Sequence, residues 1–117
     1  MINLSHKKLD VWKASIKLTA IIYELTLLFP NHELYGLTSQ LRRASVSIPS
    51  NIAEGAARKS AKERRRFYEI ARSSLVEVDT QLEIADKLNY LSDNDLNKVE
   101  NKLDHIFAML SNLIKST

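Results

Sequence analysis

Gly36, Gly55, Pro30 and Pro49 are the only glycines and prolines in a chain of 117 residues, and so thin a supply of turn residues excludes most sheet architectures. A β-sandwich or barrel turns every ~8–12 residues and draws on Gly, Pro and Asn-Gly pairs to do so. The chain is therefore expected to be helical, with few connections. Its length fits one domain over residues 1–117, burying roughly two-thirds of the surface that the unfolded chain exposes. The lack of cysteine removes disulfides, thiolate nucleophiles and thiolate metal sites, and points to a reducing cytoplasm. Met1 to Leu9 has no apolar core of signal-peptide length, and the apolar run at Leu27 to Phe29 is far short of a membrane span, so neither export nor a membrane partner is expected.

Leu9, Trp12, Ile16, Ala20, Tyr23 and Leu27 recur at three- and four-residue spacing, and Val11, Leu18, Ile22, Leu25 and Phe29 make a second row beside them. The first helix should thus carry a wide apolar face and stop before Pro30, because the residue preceding a proline disfavours helical angles. A loop over Asn31 to Tyr35 follows. The second helix starts near Gly36, with Leu37, Leu41, Ala44, Ile48 and Ile52 on one face and Pro49 inside it. Proline there removes the bond to the Ser45 carbonyl, costs about 3 kcal/mol in an isolated helix interior, and predicts one kinked helix rather than two. Ser45, Ser47 and Ser50 are near enough in sequence to satisfy that carbonyl, and Gly55 is expected at the fraying end.

Ser60-Ala61-Lys62-Glu63 has the form of a capping box opening a third helix. Its stripe is Phe67, Ala71, Leu75, Val78, Leu82, Ala85 and Leu88, ending near Tyr90. Ser92 with Asp93 and Asp95 caps a fourth helix, which runs on Leu96, Val99, Leu103, Ile106, Leu110 and Leu113 to about Lys115. Four such helices with short connections predict an all-α, up-down-up-down antiparallel four-helix bundle.

The formal charge of +3 is too small to imply a nucleic-acid partner by itself. Between Arg58 and Arg72, however, seven bases (Arg58, Lys59, Lys62, Arg64, Arg65, Arg66, Arg72) stand against Glu63 and Glu69, a net +5. The other ten bases and twelve acids leave −2. Lys62, Arg65, Arg66 and Arg72 lie away from the apolar stripe and are expected to be exposed, with Arg42 extending the patch. One reading is a solvated face with pairs such as Arg65 to Glu69. The other is phosphate contact, which the planar guanidinium suits. No aromatic residues alternate with the bases, so reading of single-stranded sequence is not supported.

A polar row accompanies each central helix: Gln40, Arg43, Ser47, Asn51 and Glu54 on the second, and Ser74, Glu77 and Gln81 on the third. If the two helices fold back about a turn near Lys59, Gln40 meets Gln81, Arg43 meets Glu77, Ser47 meets Ser74 and Glu54 meets Arg64. The rows read either as solvated faces or as a structural network or subunit interface. A buried pair of Arg43 with Glu77 would fix register more than it stabilises. Enzyme signatures are absent: there is no Gly-rich phosphate loop, H-E-x-x-H or G-x-S-x-G, and His6, His32 and His105 have no shared metal spacing. Neither catalysis, a cofactor nor a metal is expected.

Leu9-Asp10-Val11-Trp12, Phe29-Pro30 with Glu33 and Tyr35-Gly36-Leu37, the stretch from Gln40 to Gly55, Arg66-Phe67-Tyr68-Glu69-Ile70-Ala71, Ser74-Leu75, Glu77 and Gln81-Leu82 together carry a resemblance. Over about residues 9 to 91 the chain resembles the four-helix-bundle proteins encoded in 23S rRNA intervening sequences. The resemblance implies a bacterial, non-enzymatic bundle that assembles as a homopentamer, in which Gln40, Arg43, Ser47, Asn51, Glu54, Ser74 and Glu77 are motif residues of structural or interface type. The family is also similar to the accessory variability determinant of diversity-generating retroelements, a basic pentameric bundle that binds nucleic acid and a reverse transcriptase. Five copies of a +5 segment would make a strong field. The resulting expectation is an oligomeric adaptor that grips RNA or DNA backbone, the alternative being a structural or protein-interaction oligomer without a nucleic-acid role.

Overall fold

Three of the four helices begin where a side chain accepts from an amide of the first turn. The computed structural model describes residues 1–117 and contains α1 (Asp10–Thr26), α2 (Leu37–Ala56), α3 (Ala61–Lys87) and α4 (Asp93–Ser116), with single 3-10 turns at Ser5–Lys8 and Asn31–Glu33 and no strand. At α4, Ser92 Oγ accepts from the Asp95 amide at 3.1 Å and Asp95 Oδ2 accepts from the Ser92 amide at 3.2 Å, a complete capping box. At α3 only one arm forms, Ser60 Oγ accepting from the Glu63 amide at 3.1 Å. α3 stops at Lys87, short of Tyr90, because Asn89 takes a left-handed φ of 61°. The Asn89 amide then reaches the Asp86 carbonyl at 3.0 Å and the Tyr90 amide reaches the Ala85 carbonyl at 2.9 Å, the paired bonds of a Schellman ending. α1 also ends early, at Thr26, and Leu27, Leu28 and Phe29 tighten into three-residue bonds before Pro30.

α2 continues through Pro49 as one helix. The Ser45 carbonyl freed by the proline is not satisfied by a local serine, as the sequence suggested. Ser45 Oγ donates instead to the Arg42 carbonyl at 2.9 Å, and Ser47 turns toward α3. The donor to Ser45 comes from α1: Thr19 Oγ1 lies 3.0 Å from the Ser45 carbonyl and 3.0 Å from that of Ser15. A tertiary contact therefore relieves a local backbone defect, which a reading confined to neighbouring residues could not find.

α1 packs on α2, α2 on α3, α3 on α4, and α4 back on α1, with no diagonal packing and the most extensive seam between α2 and α3. Contacts run in opposing order across the seams: Thr19 to Ser45 and Thr26 to Arg42, Gly55 to Tyr68 and Ser47 to Ser74, Arg65 to Thr117 and Arg72 to Ser111. The helices joined by these pairs are antiparallel, and the molecule measures 43 × 26 × 21 Å.

One core cluster draws on all four helices. The expected α2 stripe lies in it, and the α4 stripe lies in it or against it except for Leu96, which is half-buried outside the cluster. On α1 only the row of Val11, Leu18, Ile22, Leu25 and Phe29 is buried, while Ile16, Ala20, Tyr23 and Leu27 face outward, so the wide apolar face is half used. On α3, Tyr68 is buried where the stripe named Phe67, and Leu88 is exposed beyond the helix end. Gly55 explains the tyrosine. It is buried inside α2 rather than fraying, and a Cβ there would stand 2.8 Å from Tyr68 Cε1 and 3.0 Å from Phe67 Cβ. The missing side chain lets α3 approach at that level.

Candidate functional site

The polar rows of α2 and α3 do meet. Ser47 Oγ and Ser74 Oγ share a hydrogen bond of 2.8 Å, and Asn51 Nδ2 donates to Ser47 Oγ at 2.9 Å and to the Ser47 carbonyl at 2.8 Å. Gln40, Arg43, Ser47, Ser74, Glu77 and Gln81 then line a recess of ≈ 320 Å³. Two expected pairings are absent. Arg43 and Glu77 are both exposed and form no ion pair, so this is not a buried charge pair. Glu54 pairs with Arg58 at 3.0 Å, four residues on and just past the end of α2, rather than with Arg64. Arg64 is turned the other way, donating to the carbonyls of Arg58 at 3.1 Å and Lys59 at 2.8 Å and so tying the α2–α3 connection. Gln81 is only 9% exposed, and its Oε1 is buried without a hydrogen-bond partner. A buried acceptor left this way costs about 1–3 kcal/mol, so the recess is incomplete in the lone chain.

The basic segment divides. Lys62, Arg65 and Arg66 surround an open recess of ≈ 520 Å³ at the start of α3, together with Glu63 and Glu69. Lys59, Lys62 and Arg66 are exposed and have no acidic partner at ion-pair distance. Arg65 and Arg72 are half-buried rather than free: Arg65 donates to the Thr117 carbonyl at 3.1 Å, and Arg72 to Ser111 Oγ at 3.2 Å. These bonds clamp α3 to α4 and replace the expected Arg65 to Glu69 pair. Arg58 lies 4.8 Å over the Phe67 ring while paired with Glu54. Arg42 does not extend the patch. It stands fourteen residues before the end of α2 at Ala56, about 21 Å along the helix, and there it donates to Thr26 Oγ1 at 2.8 Å and stacks 4.7 Å from the Tyr23 ring centroid.

A third polar group joins the α1–α2 loop to the α3–α4 loop. Tyr90 Oη donates to Glu33 Oε2 at 2.9 Å, with His32 Nε2 3.3 Å from the same hydroxyl, while Glu33 Oε1 accepts from the Leu37 amide at 3.2 Å. Glu33 thus supports the first turn of α2, whose cap residue Gly36 has no side chain to do so. A Cβ on Gly36 would lie 2.8 Å from Glu33 Oε1. Desolvation holds the Tyr90 phenol above the ordinary tyrosine value, and the bond and charge of Glu33 push it the same way. Burial raises the Tyr68 phenol too, against the opposing pull of the Arg64 guanidinium. Glu33 stood among the residues that carried the resemblance, but spacing alone offered no sign of its partner, Tyr90.

The family model described as "23S rRNA-intervening sequence protein" matches residues 7–112. The chain belongs to that family. The match includes the α2/α3 recess and the basic start of α3, and leaves outside it Thr117, whose carbonyl holds Arg65. A structural likeness is seen in the crystal structure of a protein with unknown function from the S23 ribosomal protein family of Bacteroides thetaiotaomicron VPI-5482. It is 23% identical, superposes with a TM-score of 0.82, and covers 90% of this chain and 98% of its own. At that identity the likeness concerns the fold. No functionally curated protein matches the chain. No helix of this family member is long and apolar enough to cross a membrane.

Proposed function

We propose that this protein is a non-enzymatic adaptor that holds the phosphate backbone of RNA or DNA at the start of α3 and works as an assembly of several copies. The observation that carries the reading is the set of exposed cations there, Lys59, Lys62 and Arg66, with no acidic partner at ion-pair distance. Cations without partners are free to replace the counterions of a phosphate backbone. Log affinity should then fall linearly with log salt, with a slope of about −0.9 for each phosphate neutralised. Three contacts per chain give about −3, and copies arranged around an axis multiply that figure.

The incomplete α2/α3 recess supports the assembly. Arg43 and Glu77 offer opposite charges without a partner in their own chain, and Gln81 Oε1 lacks a donor, so neighbouring copies have groups to exchange. The resemblance implies five copies, a bacterial source and a reverse transcriptase or ribosomal component as protein partner, and the lack of cysteine fits a cytoplasmic setting. Fluorescence anisotropy of labelled duplex RNA and duplex DNA, measured between ~50 and ~200 mM salt, tests the reading. The expected result is micromolar binding with the linear salt dependence, weakened in a Lys62→Glu, Arg66→Glu variant of unchanged helicity. Absence of retention at the lower salt would overturn it. In that case the structural or protein-interaction oligomer becomes the reading, tested by mass on the Arg43→Ala and Glu77→Ala variants.

A further inference from the structure

A second concentration of positive charge lies on the opposite seam, assembled from parts of the chain almost ninety residues apart. Lys13 and Lys17 on α1 and Lys102 and His105 on α4 line a recess of ≈ 330 Å³ together with Asp10 and Ile106. Lys13 and Lys17 are one turn apart on α1, as Lys102 and His105 are on α4, so each helix presents neighbouring groups toward the shared seam. Ile106 is 1% exposed and gives the recess an apolar floor. Such a floor of low dielectric strengthens the field of the cations around it.

None of the three ammonium groups has an acidic partner at ion-pair distance. Asp10, the one acid in the recess, sits in the first turn of α1, where its carboxylate already complements the positive helix end. Three ammonium groups against one carboxylate leave an excess of positive charge, and a bound anion relieves the repulsion among them. Lysine acts as a point charge and is a common binder of phosphoryl oxygens.

We propose that the α1/α4 recess is a phosphate-binding site, in which Lys13, Lys17, Lys102 and His105 hold adjacent phosphoryl groups of an oligophosphate. The recess has room for about ten waters, and so for a short run of phosphoryl groups. Two sources offer this chemistry, a free oligophosphate and the phosphodiester backbone of a nucleic acid. The site is separate from the cations at the start of α3 and does not depend on them.

The test is an amide chemical-shift titration of the full chain with inorganic pyrophosphate at ~50 mM salt. Saturable shifts are expected around Lys13, Lys17, Lys102 and His105. They should be weakened about tenfold or more in a Lys13→Gln, Lys17→Gln, Lys102→Gln variant of unchanged circular dichroism. They should persist in the Lys62→Glu, Arg66→Glu variant, so that failure of the α3 site and failure of this one are told apart. A thymidine oligonucleotide is then added: displacement of pyrophosphate identifies the backbone as the source, and retention identifies a free oligophosphate. No saturable shift into the millimolar range, or shifts that survive in the triple-glutamine variant, would overturn the proposal.

Discussion

Two recesses of nearly equal size, ≈ 320 Å³ between α2 and α3 and ≈ 330 Å³ between α1 and α4, differ in almost every other respect. The first mixes amides, hydroxyls and one charge of each sign around a seam already cross-linked by Ser47, Ser74 and Asn51. The second is rimmed by three lysines and a histidine against a single acid, Asp10, and no side-chain hydrogen bond crosses it. A surface carrying both signs and both donors and acceptors is complementary to copies of itself. A surface with an excess of one sign repels a copy of itself and is better matched by an anion. Volume says nothing of this, whereas the charge composition of the lining decides it.

The largest expected effect breaks the tighter seam. Gly55→Val forces a branched side chain to within about 3 Å of the Tyr68 ring, and should destabilise the chain by about 1–3 kcal/mol in denaturant unfolding. The corresponding change on the other seam, Ala14→Val, enters a half-buried position beside an open recess and should stay within about 0.5 kcal/mol. Equal losses at both positions would mean that the seams are packed alike, and the contrast would fall.

Gln81→Leu sharpens the comparison in the opposite direction. It removes a buried acceptor without a donor, so the isolated chain should gain about 1 kcal/mol, up to the ~3 kcal/mol that such an atom can cost. The same change removes a group that another copy could satisfy, so assembly, read as mass by light scattering, should weaken. A destabilised chain of unchanged mass would show that the amide is satisfied within the monomer.

Smaller still is the effect of Arg43→Ala or Glu77→Ala on folding. Both side chains are exposed and unpaired in their own chain, so each should change stability by less than about 0.5 kcal/mol. Mass, rather than melting, is where they should register. Loss of helicity in either variant would place the pair inside one bundle after all.

The elements were largely legible because each leaves a local mark: a capping serine before α3 and α4, a proline after α1, and an unbroken apolar row on α2. What was lost lies between elements. Periodicity could not say which of the two apolar rows on α1 faces the core, because both fit a helix equally well and only packing against α2 and α4 chooses. Pro49 announced a missing bond, but the answering hydroxyl, Thr19, belongs to another helix. The facing serines Ser47 and Ser74 followed from simple fold-back arithmetic, whereas Arg65 and Arg72 looked free because their partners, Thr117 and Ser111, come from the far end of the chain. The lysine recess was invisible for the same reason, its charges being diluted among acids along the sequence.

The smallest effect belongs to the loop bracket of Glu33 and Tyr90, which touches neither recess and so serves as their control. Both the Tyr90 and Tyr68 phenols titrate above the ordinary tyrosine value of 10.0 in the folded chain. The folded state therefore holds those protons more tightly than the unfolded state does, and their contribution to stability is fully present below about pH 10. It is lost as pH rises from there through the raised values. Tyr90→Phe removes one of the two phenols, so its unfolding free energy should fall less steeply than that of the parent above pH 10, while at neutral pH it loses only the bond to Glu33. Neither pyrophosphate binding nor assembled mass should change in this variant. A parent and variant with parallel stability curves through the alkaline range would show that the fold does not raise the Tyr90 phenol.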